Sequence, residues 1–181
     1  MTRTYIVTGS GSGIGAATAE LLRERGYTVV GVDLRGAEVE ADLSTPEGRR
    51  TAAQKALELA NGKVDSVIAC AGISAPAPIT VAVNYFGVTE FLELLAPTLA
   101  KSDAPRAAVV SSMASLQPNS PELVEALLAG DEARAMEIGA ALAEQGPGVG
   151  YLNYPSSKRA LSRWVRRASI TEQWAGAGIP L

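Results

Sequence analysis

The stretch 5–15, Tyr-Ile-Val-Thr-Gly-Ser-Gly-Ser-Gly-Ile-Gly, limits what this chain can fold into more than any other. Residues 5–7 form a short apolar run that reads as a buried strand. Glycines follow at alternating positions, Gly9, Gly11, Gly13 and Gly15. An amphipathic segment comes next, with Ala17, Leu21 and Leu22 on one side and Glu20, Arg23 and Glu24 on the other. The order is strand, glycine turn, helix. Such a turn lets backbone approach a pyrophosphate and aims helix N-terminal N–H groups at it. A flexible loop is the competing reading. A strict Gly-x-Gly-x-x-Gly from Gly9 fails, because Ile14 stands where the third glycine belongs. The pattern that fits is Thr-Gly-x-x-x-Gly-Ile-Gly over 8–15.

The 181 residues suffice for one domain with a real core, 1–181. Hydrophobic residues at 47% and charged residues at 19% fit a soluble globular chain. A net charge of −3 offers no broad basic surface, so no nucleic-acid partner is expected. No apolar run approaches a membrane span and the N-terminus enters a strand directly, so neither membrane nor signal peptide is expected. One cysteine, Cys70, cannot form an internal disulfide, which favours a reducing, cytoplasmic setting. The chain has no histidine. Ser-His-Asp, Cys-His and histidine-based metal chemistry are thereby removed, and no metal is expected. Proton transfer must fall to carboxylate, tyrosine, lysine or a cofactor.

In chain order, the first helix runs to about residue 25 and stops at Gly26. Residues 27–32, Tyr-Thr-Val-Val-Gly-Val, read as a strand buried on both faces, as in a helix-covered parallel sheet. Asp33 ends it, 18 residues past Gly15, where a dinucleotide fold places an acid on the ribose hydroxyls. A carboxylate there repels the extra phosphate of NADP, whereas Arg35 could accept it; the strand-end acid weighs more and favours NAD. A turn or cap role is the other reading of Asp33. Residues 37–41 are a possible short strand, followed by Asp42 and Leu43. Ser44 or Thr45 caps a helix with Pro46 in its first turn, running to about residue 60. Residues 64–70 form another buried strand, closing in Ala69-Cys70-Ala71-Gly72. Cys70 reads as a small buried residue rather than a nucleophile.

A Pro- and Ala-rich loop at 74–80 precedes a long helix over 81–99, with Asn84, Val88, Phe91, Leu92 and Leu95 on one side. A buried Asn84 needs partners, either backbone or a held water. Residues 106–112 form the next strand, ending in Ser111-Ser112, and strand C-terminal ends face the ligand crevice of such sheets. A serine-rich turn is the alternative for Ser112. Two helices then fill 118–150, the first starting at Ser120-Pro121 and stopping at Gly130, the second starting at Asp131 and running to about 144. Tyr154-Pro155-Ser156-Ser157-Lys158 opens a last helix, read as far as about 175. Tyr154 and Lys158 share a helix face. A free tyrosine ionises near ~10, and a neighbouring ammonium lowers that. Arg163, Arg166 and Arg167 read as a solvated or subunit-facing surface.

These residues, in this order, resemble the short-chain dehydrogenase/reductase family. The resemblance implies a doubly wound, Rossmann-like α/β sheet with five parallel strands here. It implies an NAD-dependent oxidoreductase interconverting a secondary alcohol and a ketone. Ser112 would bond the carbonyl or alcohol oxygen, and Tyr154 would move its proton. Lys158 would lower the tyrosine pKa and bond the nicotinamide ribose, and Asn84 would belong to the proton relay. Gly9, Ser12, Gly13, Ile14, Gly15, Asp33, Asp42, Leu43, Cys70, Ala71 and Gly72 would join Tyr154 and Lys158 in holding the cofactor, with Asp42 at the adenine edge. The family usually has two asparagines where Ala69 and Cys70 stand. It also separates serine from tyrosine by far fewer residues than 113–153. The insertion, Ala-Asp-Leu-Ser-Thr-Pro at 41–46 and Val-Asn-Tyr-Phe-Gly at 83–87 resemble bacterial 3α-hydroxysteroid dehydrogenase/carbonyl reductases, pointing to a 3-hydroxysteroid or 3-ketosteroid. The family forms dimers or tetramers, so a homo-oligomer is expected. Relative to the family the chain stops where the strand after the last helix begins, leaving out the C-terminal strands and substrate lid. The alternatives are an NADP-linked carbonyl reductase and a non-catalytic dinucleotide-binding or regulatory protein.

Overall fold

The computed structural model describes residues 2–181. The elements are β1 (Thr4–Thr8), α1 (Gly13–Glu24), β2 (Thr28–Asp33), β3 (Val39–Glu40), α2 (Pro46–Leu59), β4 (Ser66–Ala69), α3 (Ile79–Leu99), β5 (Arg106–Val109), α4 (Pro121–Leu128), α5 (Glu132–Glu144) and α6 (Asn153–Ala168). The strands form one parallel sheet in the order β3-β2-β1-β4-β5. The order reverses direction at β1, so a crevice opens between the C-terminal ends of β1 and β4. The doubly wound α/β architecture implied by the resemblance is present.

The core lies where sheet and helices meet, around Ile6, Val30, Val67, Phe91, Leu92 and Leu95. On α3 the expected stripe of Asn84, Val88, Phe91, Leu92 and Leu95 is buried. On α1 the buried residues are Gly15, Ala19 and Leu22, whereas Ala17 and Leu21 face outward. This corrects the expected face. Small Gly15 and Ala19 let the helix lie close on the sheet, and that contact chose the stripe.

α3 has another property that the sequence reading missed. Its 21 residues are long and apolar enough to cross a membrane by composition, and most are buried inside the protein. Within it, Ala82–Phe86 is π-helical. The Gly87 N–H reaches back to the Ala82 carbonyl, five residues away instead of four.

The last helix is shorter than expected. It ends at Ala168, and a separate turn, Glu172–Gly176, carries Trp174 into the core beside Trp164. The chain then lies along β5, where the Ala107 N–H donates to the Pro180 carbonyl at 2.9 Å. The Met113–Leu116 turn packs on α6, and α4 and α5 follow it with caps from Ser120 and Asp131.

Candidate active site

The glycine turn is shaped by close backbone approaches. Gly9 has φ +70° and its N–H donates to the Val32 carbonyl at 2.8 Å, joining the turn to β2. A Cβ on Gly9 would lie 2.8 Å from the Ala71 nitrogen, and one on Gly15 only 2.1 Å from the Gly9 carbonyl oxygen. Both positions therefore exclude a side chain. α1 thus starts directly over the turn. Its cap residue Ser12 makes no side-chain bond to the helix, and no acid sits in the first turn. The first-turn N–H groups are thereby left to an anion.

A cleft of about 460 Å³ opens here. The expected cofactor residues Gly9, Ser12, Gly13, Ile14, Gly15, Asp33, Asp42, Leu43, Cys70, Ala71 and Gly72 all line it. Ile14, Leu34, Ile73 and Ile79 leave aliphatic surface exposed along it. Asp33 is fixed at one end: its carboxylate accepts from Gly11 N–H at 2.9 Å and Leu34 N–H at 2.6 Å. Arg35 is exposed and outside the lining. The Asp42 carboxylate accepts from Ser44 N–H, which shapes the loop into α2. A glycine-lined helix terminus, aliphatic walls and a strand-end acid fit an adenine dinucleotide.

At the other end of the cleft stands Gly72. A Cβ there would meet Asn84 Oδ1 at 3.1 Å and Lys158 Nζ at 3.5 Å. The structure thus brings Asn84 and Lys158 together at the cleft's end. Lys158 is buried, and its Nζ donates to the Val110 carbonyl at 2.9 Å, just past the end of β5. Burial pushes its pKa down to about 8, opposed by the nearby Cys70. Cys70 is half-buried, less enclosed than expected; burial pushes its thiol up and Lys158 opposes this.

Asn84 is fully buried in the π-helical segment. Its Nδ2 donates to the Ile73 carbonyl at 2.9 Å and its Oδ1 accepts from Ile73 N–H at 2.8 Å. It also donates to Ser157 Oγ at 3.2 Å, and that hydroxyl donates to the Tyr154 carbonyl at 2.7 Å. Both bonds to Ile73 are backbone contacts, one of the two kinds of partner considered for Asn84. Tyr154 is half-buried, its ring 6.0 Å from that of Tyr151. Ser112 lies past β5, which ends at Val109 rather than at the serine. Its Oγ accepts from Ala114 N–H at 3.1 Å and caps the Met113–Leu116 turn. Neither Ser112, Tyr154 nor Lys158 lines the cleft itself.

Sequence reasoning missed Ser157 and the Val110 and Ile73 backbone groups. Ser157 carried a readable signal: a helical serine three residues after Tyr154 can bond back to its carbonyl. The backbone groups carried none, because any residue type supplies them.

A family model described as short chain dehydrogenase matches residues 3–123. The chain is 41% identical to a 3-alpha-hydroxysteroid dehydrogenase/carbonyl reductase from Comamonas testosteroni, over 97% of this chain and 68% of that protein. It is 42% identical to a coniferyl-alcohol dehydrogenase from a Pseudomonas species, over 50% of this chain and 37% of that protein. Among solved structures, the 3-alpha-hydroxysteroid dehydrogenase from Pseudomonas sp. B-0831 complexed with NADH superimposes with a TM-score of 0.88 at 45% identity, covering 97% of this chain and 68% of that one.

Proposed function

The chain belongs to the short-chain dehydrogenase family of oxidoreductases, and from that premise we propose that it interconverts a secondary alcohol and a ketone with NAD as its cofactor. The observation that carries this reading is the convergence of Asn84 and Lys158 on Gly72, at the end of the glycine-turn cleft. Tyr154 stands one helical turn before Lys158 on α6.

The cofactor supplies a site that accepts or donates hydride. The α1 N–H groups and Gly13 would hold its pyrophosphate, Asp33 its adenosine ribose, Asp42 and Leu43 its adenine, and Cys70, Ala71 and Gly72 its nicotinamide half. Tyr154 gives a proton to the carbonyl oxygen, or takes one from the alcohol. Ser112 donates a hydrogen bond to the same oxygen. Lys158 is cationic below about pH 8 and would bond the nicotinamide ribose. Asn84 bonds Ile73 and, through the Ser157 hydroxyl, reaches the Tyr154 carbonyl; from there it would hold a water linking Lys158 to solvent.

NAD rather than NADP is supported by the Asp33 carboxylate, fixed by two N–H groups at the cleft edge while Arg35 lies outside the lining. A bulky apolar substrate such as a 3-hydroxysteroid is supported by Met113 and Leu116, 86% and 81% exposed beside Ser112, and by exposed Tyr151 beside Tyr154. The same reading makes the chain a cytoplasmic homodimer or homotetramer acting on a small molecule.

The test is NADH consumption with a panel of ketones, set beside NADH binding. Tyr154→Phe is expected to cut turnover by at least ~10²-fold, in the range of general acid–base effects, and to spare NADH binding. Unchanged turnover overturns the assignment of Tyr154. NADH binding with no consumption by the unaltered chain points to a non-catalytic binder instead.

A further inference from the structure

Asn153 immediately precedes Tyr154 and is the first residue of α6. It is completely buried. Its Nδ2 donates to the Gly139 carbonyl at 3.0 Å and to the Gly150 carbonyl at 2.9 Å. Gly139 lies inside α5, and Gly150 ends the short turn Pro147–Gly150. One amide therefore fastens two parts of the 118–150 insertion to the start of the helix that carries Tyr154 and Lys158.

This arrangement is costly. Asn153 Oδ1 is buried without a hydrogen-bond partner. A buried carbonyl oxygen left unmet loses its hydration with nothing in return. The facing residue is Gly139, where a Cβ would sit 2.6 Å from that oxygen. Glycine inside a helix is also less favourable than alanine, because more backbone freedom is lost on folding. For holding two helices together, an alanine at 153 against a larger apolar residue at 139 would avoid both penalties. What the apolar pair would lack is direction, since only the amide fixes the start of α6 against two carbonyls at set distances. The contact also extends to the loop after Gly72. A Cβ on Gly139 would meet Pro78 at 3.3 Å, and one on Gly150 would meet the Pro76 carbonyl oxygen at 2.8 Å. Tyr151, next after Gly150, carries the ring that packs on Tyr154.

We propose that Asn153 is a positioning residue, and that the insertion sets the entry of the Tyr154 phenol into the site through the Gly139–Asn153 clasp. The proposal rests on the reading of Tyr154 as the proton donor and acceptor. It assigns the insertion a part in catalysis that does not require it to touch substrate.

The experiment compares Asn153→Ala, Gly139→Ala and the double variant. Asn153→Ala is expected to lower kcat about tenfold or more, as displaced reacting groups do, with KM for NADH unchanged. Gly139→Ala, which drives a methyl group against Oδ1, is expected to lower kcat similarly. Adding Gly139→Ala to Asn153→Ala should cost little more, because the opposing oxygen is gone. The second readout needs no turnover: the ring proton resonances of Tyr154, assigned by their loss in Tyr154→Phe, should shift in Asn153→Ala as the ring moves. Folded Asn153→Ala with unaltered kcat and unaltered Tyr154 resonances overturns the proposal. So does a loss that appears equally in KM for NADH, or strictly multiplicative losses in the double variant. If the unaltered chain consumes no NADH with any ketone, the function reading fails separately and the Tyr154 resonances alone decide the clasp. If Gly139→Ala does not fold, Asn153→Ala, which only removes atoms, still decides it.

Discussion

Arg49 Nη2 donates to Glu132 Oε2 at 2.6 Å, joining α2 to the first residue of α5. Its Nε donates to Glu90 Oε2 on α3, also at 2.6 Å, and its Nη1 reaches the Leu43 and Ser44 carbonyls at 3.4 Å. The guanidinium is completely buried and lies over the Phe86 ring. One side chain thus connects two sheet-packing helices, the insertion and the floor of the cleft at Leu43.

Arg49→Met should therefore destabilise the fold. Removing one partner of a buried pair costs about 3–5 kcal/mol. Glu90 and Glu132 are 40% and 25% exposed and stay partly hydrated, so the bottom of that range, about 3 kcal/mol, is expected. Urea unfolding measures it. A loss below about 0.5 kcal/mol, the ordinary scale of surface substitutions, would mean the clamp holds nothing.

Lys158 makes stability depend on pH in a defined direction. Its folded pKa, lowered by burial to about 8, lies beneath the ordinary lysine value of 10.5. Below about pH 8 both states are protonated and the folded state bears the whole cost of a buried charge. Between about 8 and 10.5 the unfolded chain holds a proton that the folded one lacks, so stability rises with pH. Lys158→Met should remove this rise and be more stable than the unaltered chain at neutral pH, by at most about 3 kcal/mol. Unfolding both proteins across this window tests it; parallel pH curves would refute it.

Gly15→Ala should damage the glycine turn rather than the core. The added carbon would sit 2.1 Å from the Gly9 carbonyl oxygen, a backbone atom that cannot rotate aside. A cost of about 1–3 kcal/mol in stability is expected, the scale of overpacking. NADH affinity, read by fluorescence, should fall about tenfold or more, since each 1.4 kcal/mol is a factor of ten. Unchanged affinity would move the dinucleotide away from this turn.

Asp33→Ala should relax the choice between NAD and NADP. The substitution removes a fixed carboxylate and frees the Gly11 and Leu34 N–H groups. The NADP dissociation constant should fall relative to that of NAD by about tenfold, which again corresponds to 1.4 kcal/mol. An unaltered ratio would return the discrimination to some other group, with Arg35 the first to replace.

The parts of this molecule that depend on local pattern were legible in the sequence. The apolar runs that became β1, β2 and β4 could hardly be other than buried parallel strands, and the helix stops at Gly26 and Gly130 follow from left-handed glycines with φ +80° and +73°. Tyr154 and Lys158 were singled out by their spacing of four on a helix together with the family resemblance, since that spacing alone arises often by chance. The end of α6 was not, since Ser169-Ile170-Thr171 contains neither glycine nor proline and the break is made by Trp174 turning into the core. Arg49 was not legible either. A charged residue on a helix reads as solvated, and its carboxylates come from 41 and 83 residues away.

The π-helical segment at Ala82–Phe86 bears on how this chain tolerates changes of length. It holds one residue more than a regular helix would place between its ends. Deleting a single residue there would yield an ordinary α-helix with a complete ladder, and by itself would favour the fold. Because the widened turn already absorbs that extra residue, the turns on either side would keep their places, and Phe91, Leu92 and Leu95 would stay in the core. What a deletion removes is one side-chain position inside the segment, and where that position is Asn84 the bonds to Ile73 and Ser157 go with it. The extra residue therefore places a buried amide at the site while the sheet-packing register of the helix stays as a regular helix would set it.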